Sequence, residues 1–366
     1  MANQVAYGFI SIGHLFDQRV TEIGVEVIRG AVIDTVTAWN EEISELVEVW
    51  ALRSTKHKEL VRLPSNQTLQ PIDEWGNPKP VVSAGEYDVG YPLDGGGTAW
   101  GTNRVSQELI TVEEVNDYVY DSLLGDGNWI RAHLLSAVLD NQPWTYRDQQ
   151  YGNLTIQPLA NGDGVTYLMT GGLLPQTDNH YSAQANAISD ADNPFPGFYD
   201  ELQEHPSNSG PFVTYVPTNL TDQIEGMEAF VPIDDPDIIR SSLADRLASG
   251  GSDQIMGPGQ EILGKANRMW IVEWRNLPDN YMVSIALGAA PFLLQREYPA
   301  AKLKGLFPEF HSPDGNLWLN RLLRFCGFGV RDRVAACVHQ VGSPTYQVPT
   351  GFNAPLNHVI GRLPGM

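Results

Sequence analysis

Pro211-Phe212-Val213-Thr214-Tyr215-Val216-Pro217, with Leu220 to Gly226 behind it, sets β-branched and aromatic residues between two prolines. Proline has no N–H for a ladder, so the run reads as a short strand that must stop at Pro217. A helix follows from about Thr221. Downstream, Trp270 to Trp274 and Met282 to Ala286 read as strands joined through Leu277-Pro278-Asp279-Asn280. Leu317 to Phe328 and Val334 to Gln340 read as two more strands, and Phe198 to Glu204 and Ile238 to Ala248 as helices. These elements follow no βαβ alternation and no internal repeat, so the fold class is mixed α+β.

Upstream, Trp39, Ile43, Leu46, Val47 and Trp50 recur at helical spacing with Glu41, Glu42, Glu45 and Glu48 opposite. This predicts an amphipathic helix over Thr37 to Leu52. Residues 59 to 104 then exclude helix through Pro64, Pro71, Pro78, Pro80 and Pro92, and Gly95-Gly96-Gly97 reads as flexible backbone. Tyr87, Val89 and Tyr91 alternate with Glu86 and Asp88, and Trp75-Gly76-Asn77-Pro78 forms a turn before them. A long hairpin is expected, with legs of ~35 to 40 Å. Two strands alone are marginal in water, so either a neighbouring chain or the chain's own domain covers them.

Thr111 and Glu114 make a capping box ahead of Val112, Val115 and Val119. Gly125-Asp126-Gly127 interrupts the helical pattern, which resumes with Ile130, Leu134, Ala137 and Val138. The reading is one kinked helix, ~44 Å long if continuous, or two helices in line. Leu154 to Pro158 and Val165 to Met169, on either side of Asn161-Gly162-Asp163-Gly164, predict a second hairpin. Polar residues 176 to 197 suggest a subdomain boundary, and Pro344, Pro349, Pro355 and Pro364 an extended tail.

Composition narrows the function. The 366 residues are 42% hydrophobic and only 18% charged, which describes a folded chain with ample core and a surface suited to contact. With 23 Lys plus Arg against 44 Asp plus Glu, the net charge of −21 opposes binding to phosphate backbones. Cys326 and Cys337 lie in apolar, strand-like surroundings and read as buried thiols, which fits a cytosolic folding compartment. The N-terminus does not read as a signal peptide, and the most apolar run, Ile285 to Leu294, is too short to cross a membrane.

No catalytic motif survives inspection. Gly259-Gln260-Glu261-Ile262-Leu263-Gly264-Lys265-Ala266 has phosphate-loop spacing, but Ala266 lacks the hydroxyl for magnesium and a strand-like run follows where a helix should start. The eight histidines are dispersed so that none shares a helical turn with another, and no metal site or cofactor is expected. Asp190-Ala191-Asp192-Asn193 and Asp234-Asp235-Pro236-Asp237 read as solvated loops. Neither a G-x-S-x-G elbow nor an H-E-x-x-H helix occurs. The acids, nine Trp and fourteen Tyr leave one catalytic alternative, a cytosolic carbohydrate-active enzyme.

Taken in order, these elements resemble the major capsid proteins of tailed phages, the Hong Kong 97-type or Johnson fold. The resemblance covers nearly the whole chain. Its most specific parts are Pro211 to Pro217 with the helix after it, Ile262 through Val283 as strand, proline turn and strand, and Trp318 through Ala335 as the closing strand. The resemblance implies an N-arm and first helix of the peripheral domain over 1–58, and an extended loop over 59–105. It implies the spine helix and hairpin of the peripheral domain over 106–190, an axial domain over 191–300, return strands over 301–342 and a C-terminal tail over 343–366. No catalytic or cofactor-binding residue is implied. Trp75, Tyr87, Val89, Tyr91 and Trp100 become candidate subunit-interface residues.

The implied partners are copies of the chain itself, as hexamers and pentamers of a shell, with separate scaffolding, portal and decoration proteins. The implied location is the virion, assembled in the host cytoplasm around double-stranded DNA that is not read by sequence. Some relatives weld subunits through a lysine–asparagine isopeptide bond. Lys56, Lys58 and Lys79 lie in or near the ribbon, but the chain has only six lysines and no acidic partner is identifiable. An encapsulin-type compartment is the alternative within the same fold.

Overall fold

The computed structural model describes residues 5–63, 71–78, 85–103, 105, 108–160, 162, 164–171, 175–233, 260–311 and 317–356. A 3₁₀ helix over Tyr7–Leu15 precedes α1 (Val20–Ile23) and α2 (Val25–Trp50). Strands β1 (Ala51–Ser54), β2 (Lys58–Leu63), β3 (Gly85–Gly90) and β4 (Asp94–Asn103) lead to α3 (Val112–Leu139). Next come β5 (Trp144–Asp148), β6 (Gly152–Ile156), β7 (Thr166–Tyr167), β8 (Gln176–Thr177) and β9 (Tyr181–Gln184). Then α4 (Phe195–Gln203), β10 (Phe212–Val216), α5 (Thr218–Glu225), β11 (Phe230–Pro232), β12 (Gln260–Ala266) and β13 (Met269–Trp274) follow. The chain closes with β14 (Tyr281–Ala286), β15 (Leu293–Glu297), β16 (Leu306–His311), β17 (Leu317–Val330) and β18 (Ala336–Val341). The class is mixed α+β, as expected.

The chain divides into two compact units. One gathers Met1–Leu46, Leu93–Ala132 and Arg296–Gly327, the other Val47–Pro92, His133–Gln295 and Phe328–Met366.

In the first unit, Phe9, Ile28, Val32 and Val36 bury against Val112, Val115, Val119 and Leu123, with Leu306 and Leu322 completing the core. The helix expected from Thr37 starts at Val25 instead. Residues 25 to 37 are rich in Val, Ile and Thr, whose stiff side chains disfavour helix, and burial of every third or fourth one overrides that preference. The capping box forms: Thr111 N–H donates to Glu114 Oε2 at 3.0 Å, and Glu114 N–H to Thr111 Oγ1 at 3.3 Å.

The helix it starts, α3, is continuous for 28 residues, or ~42 Å. Gly125-Asp126-Gly127 does not break it. A Cβ at Gly127 would lie 3.2 Å from the Trp39 ring, so the glycine is a point of close approach. Asp126 is buried and accepts three hydrogen bonds: from Arg324 Nε at 2.6 Å, Arg324 Nη2 at 2.8 Å and Trp39 Nε1 at 2.8 Å. Asn40 Oδ1 accepts a further bond from Arg324 Nη2 at 3.0 Å and one from the Leu306 N–H at 2.8 Å.

Strand β17 carries Arg324 and pairs antiparallel with β16 on one edge and β4 on the other. Gly95-Gly96-Gly97, expected as flexible backbone, is strand instead, opposite Phe325, Arg324 and Leu323. Side chains there would collide: a Cβ on Gly96 would sit 2.9 Å from the Trp129 ring.

The second unit is built on a seven-stranded sheet in the order β11-β12-β13-β10-β14-β18-β9. The run between the two prolines is its centre, parallel to β13 and antiparallel to β14, so the strands joined by the Leu277–Asn280 turn are not neighbours. Phe212 and Val216 pack with Phe195, Phe198 and Leu202 of α4 and with Leu220 and Ile224 of α5. Tyr215 packs with Trp50, ring centroids 4.8 Å apart, and Trp50 also meets Trp274 at 5.1 Å and Phe292 at 5.9 Å.

The phosphate-loop look-alike over 260–266 is β12, a strand, with Gly259 outside the described residues. The expected helix over Ile238 to Ala248 also lies outside them. The second hairpin forms with different partners from those expected. Strand β6 pairs back with β5, because Asp148 Oδ1 caps the turn by accepting the N–H groups of Gln150 at 2.8 Å and Tyr151 at 2.9 Å. Strand β7 pairs forward with β8, and residues 176 to 197 also contribute β9 at the sheet edge, parallel to β18. Cys326 and Cys337 are buried and form no disulfide.

One pH dependence follows from β18. Burial pushes the His339 imidazole down to about 4, with Nδ1 2.8 Å from Ser182 Oγ. The unfolded chain therefore takes up this proton first, near pH 6.5. The contribution of neutral His339 is complete above that pH and is lost as pH falls from 6.5 through 4, by about 3 kcal/mol in all. His339→Gln is expected to flatten the fall in Tm between pH 7 and pH 4; an unchanged slope would show that other groups carry it.

Candidate assembly surfaces

Strands β2 and β3 form an antiparallel ribbon, from Lys58 opposite Gly90 to Leu63 opposite Gly85. Six residues a side span ~20 Å, and the remainder of the expected ~35 to 40 Å legs, over 64–70 and 79–84, lies outside the described residues. Period-two alternation turns Val61, Tyr87, Val89 and Tyr91 inward, where they pack with Leu294 of the same unit. Its base is pinned. The His57 ring stacks on Tyr151 with centroids 3.7 Å apart, and the Tyr91 N–H donates to the His57 carbonyl at 2.9 Å.

The Tyr91 hydroxyl donates to Glu59 Oε2 at 2.9 Å, and Lys56 Nζ lies 2.6 Å from Glu59 Oε1. Burial pushes the Glu59 carboxyl up, but the hydrogen bonds from Lys56 and Tyr91 and the charges of Lys56 and Arg331 outweigh it, so the group stays ionised below the usual carboxylate range. Burial and the Glu59 carboxylate both push the Tyr91 hydroxyl up, which keeps it a donor.

Residues 71–78 hold a turn organised by Asp73. Its Oδ1 accepts the N–H groups of Trp75 at 2.9 Å and Asn77 at 2.8 Å, its Oδ2 accepts Asn77 Nδ2 at 3.1 Å, and Gly76 supplies φ +79°. On this fixed turn Trp75 is 87% exposed and Ile72 64%. Leu60, on the outer face of the ribbon, is 53% exposed. A tryptophan held open on an ordered turn loses little entropy on docking, which is the character of an interface anchor.

The five candidate residues separate. Trp75 stands free, and Tyr87 is half-buried against the inner ribbon face. Trp100 is half-buried against the core of the first unit. Val89 and Tyr91 are 0% exposed, so their apolar surface is already occupied within the chain and they offer none to a partner. Period two identified a buried face correctly but not what buries it. Leu60 and Ile72 were missed because single apolar residues in a proline-rich stretch carry no periodic signal. Lys56 and Lys58 are paired with Glu59 and Asp88, and Lys79 lies outside the described residues.

Neither a protein-family model nor a curated protein matches the chain. Solved structures do. A chain of Mycobacterium phage Patience superposes with a TM-score of 0.67 at 18% identity, covering 88% of this chain and 89% of that one. A chain of the capsid of a native GTA particle gives 0.49 at 11% identity, covering 82% and 90%, and one of the mature capsid of bacteriophage PhiM1 gives 0.47 at 11%, covering 80% and 84%. The chain therefore has the fold of a Mycobacterium phage Patience protein over nearly nine-tenths of both molecules.

Proposed function

We propose that the chain is the major capsid protein of a tailed phage, joining copies of itself as hexamers and pentamers into an icosahedral head around double-stranded DNA. The fold shared with the Mycobacterium phage Patience chain carries this reading. The open Trp75 turn supports it, because an apolar anchor held in water is explained by a second copy that covers it. Repetition then turns a modest contact into a stable container.

In this reading residues 59–105 are the extended loop, 106–190 hold the spine helix and 191–300 are the axial domain. Trp75, Tyr87 and Trp100 remain interface residues. The role is contact and not catalysis. Scaffolding, portal and decoration proteins are separate partners, and the head assembles in the host cytoplasm before the protein resides in the virion. The net charge of −21 lets packed DNA slide without adhering.

Negative-stain imaging of the purified full chain tests the reading. Closed hollow particles of uniform size are the expected result. A chain that stays monomeric across protein concentration and salt would overturn it.

A further inference from the structure

His180 and His205 stand 25 residues apart, a spacing that carries no metal motif. The fold of the second unit brings them together. His180 directly precedes β9, its carbonyl accepting the Val338 N–H at 3.0 Å, and His205 follows the C-terminal end of α4. Their Nε2 atoms are 3.3 Å apart. Asp178 Oδ2 lies 3.3 Å from the His180 nitrogen and 3.0 Å from the His205 nitrogen.

The three atoms form a nearly equilateral triangle. Tetrahedral zinc holds nitrogen and oxygen ligands at ~2.0–2.1 Å, which sets them ~3.3–3.4 Å from one another. The triangle is thus one face of such a tetrahedron, already assembled.

The surroundings point the same way. His205 Nδ1 lies 3.0 Å from the Leu168 carbonyl, which only accepts, so Nδ1 keeps its proton. Asp178 Oδ2 holds a proton on Nε2 in turn, and a cation would displace that proton and take the Nε2 lone pair. That backbone bond is the orienting contact typical of metal-binding histidine. Both imidazole side chains are 0–1% exposed, and Tyr167 covers them with its ring at 5.2 and 6.1 Å. Carboxylate oxygens of Asp178, Glu201 and Glu204 also lie within 4.8 Å of one another. Buried Glu201 Oε1 has no hydrogen-bond partner.

So dense a group of acids repels itself, and a cation would offset that repulsion. Glu204 Oε1 is 4.0 Å from His205 Nε2, a side-chain adjustment away from the fourth vertex. At 36% exposure the Glu204 side chain also offers a path inward from solvent.

We propose that Asp178, His180 and His205 bind a divalent first-row transition cation, zinc the best match, with Glu204 closing the fourth position. The ion ties the segment before β9 to the end of α4. This site is independent of the shell reading, since either can hold without the other.

The test uses the full chain, stripped with chelator and dialysed against zinc. Elemental analysis is expected to find roughly one equivalent per chain. Cobalt in place of zinc is expected to give the intense visible bands of a four-coordinate site. His205→Gln and Asp178→Asn are expected to lower retained zinc at least tenfold. Because misfolding alone also lowers a variant's zinc content, the wild-type chain supplies the second measurement: zinc, and not magnesium, raises the Tm of stripped protein. Stripped wild-type protein that takes up no zinc and shows no shift, or variants that retain as much zinc as wild type, would overturn the site.

Discussion

Asp126→Ala is expected to destabilise the chain by about 3–5 kcal/mol, the cost of leaving a buried guanidinium with its carboxylate removed. Arg324 and Asp126 side chains are 4% and 5% exposed and meet through two parallel hydrogen bonds. Without Asp126, Arg324 keeps only Asn40 Oδ1 of these acceptors, and Trp39 Nε1 loses its own. The helix propensity gained by alanine offsets a few tenths of a kcal/mol.

Asp126→Leu with Arg324→Met removes both charges and is expected to recover most of the loss, because the pair's own desolvation goes with it. Denaturant midpoints on the three proteins distinguish the cases. A loss under about 1 kcal/mol for Asp126→Ala would mean that water reaches Arg324 and solvates it.

Trp75→Ala has the opposite profile. With Trp75 87% exposed, its removal changes the stability of the isolated chain by no more than about 0.5 kcal/mol. In the proposed shell, a central tryptophan contributes about 2–4 kcal/mol at each contact. Even the lower figure is roughly a 30-fold loss in pairwise affinity. Every copy repeats it, so closed particles are expected to vanish at concentrations where the wild type assembles completely. Sedimentation of Trp75→Ala beside its Tm separates the two effects. Normal particles from this variant would show that the turn is not a contact between copies.

Local chemistry made part of this legible in sequence. The Thr111–Glu114 box, the stop at Pro217 and the buried state of Cys326 and Cys337 each follow from a few adjacent residues, and all three hold. What failed depends on distant partners. Gly125-Asp126-Gly127 looks like a break until Arg324 arrives from 198 residues away. Gly95-Gly96-Gly97 looks loose until β17 and Trp129 press on it. The insertion of β10 between β13 and β14 is a matter of sheet order, which side-chain periodicity does not encode. The His180–His205 meeting is of the same kind, and dispersed histidines argued against it only along the chain.

The interleaved segments of the two units have a consequence for biosynthesis. The first unit's opening segment ends at Leu46, but its closing segment starts at Arg296. At a synthesis rate of ~5–20 residues per second, the opening segment waits roughly 12–50 s on the ribosome for its last neighbours. The apolar face of a nascent amphipathic helix such as α2 spends that interval uncovered. Folding of the first unit is therefore completed only after most of the chain has been made, which lengthens the interval in which its apolar surface is open to aggregation.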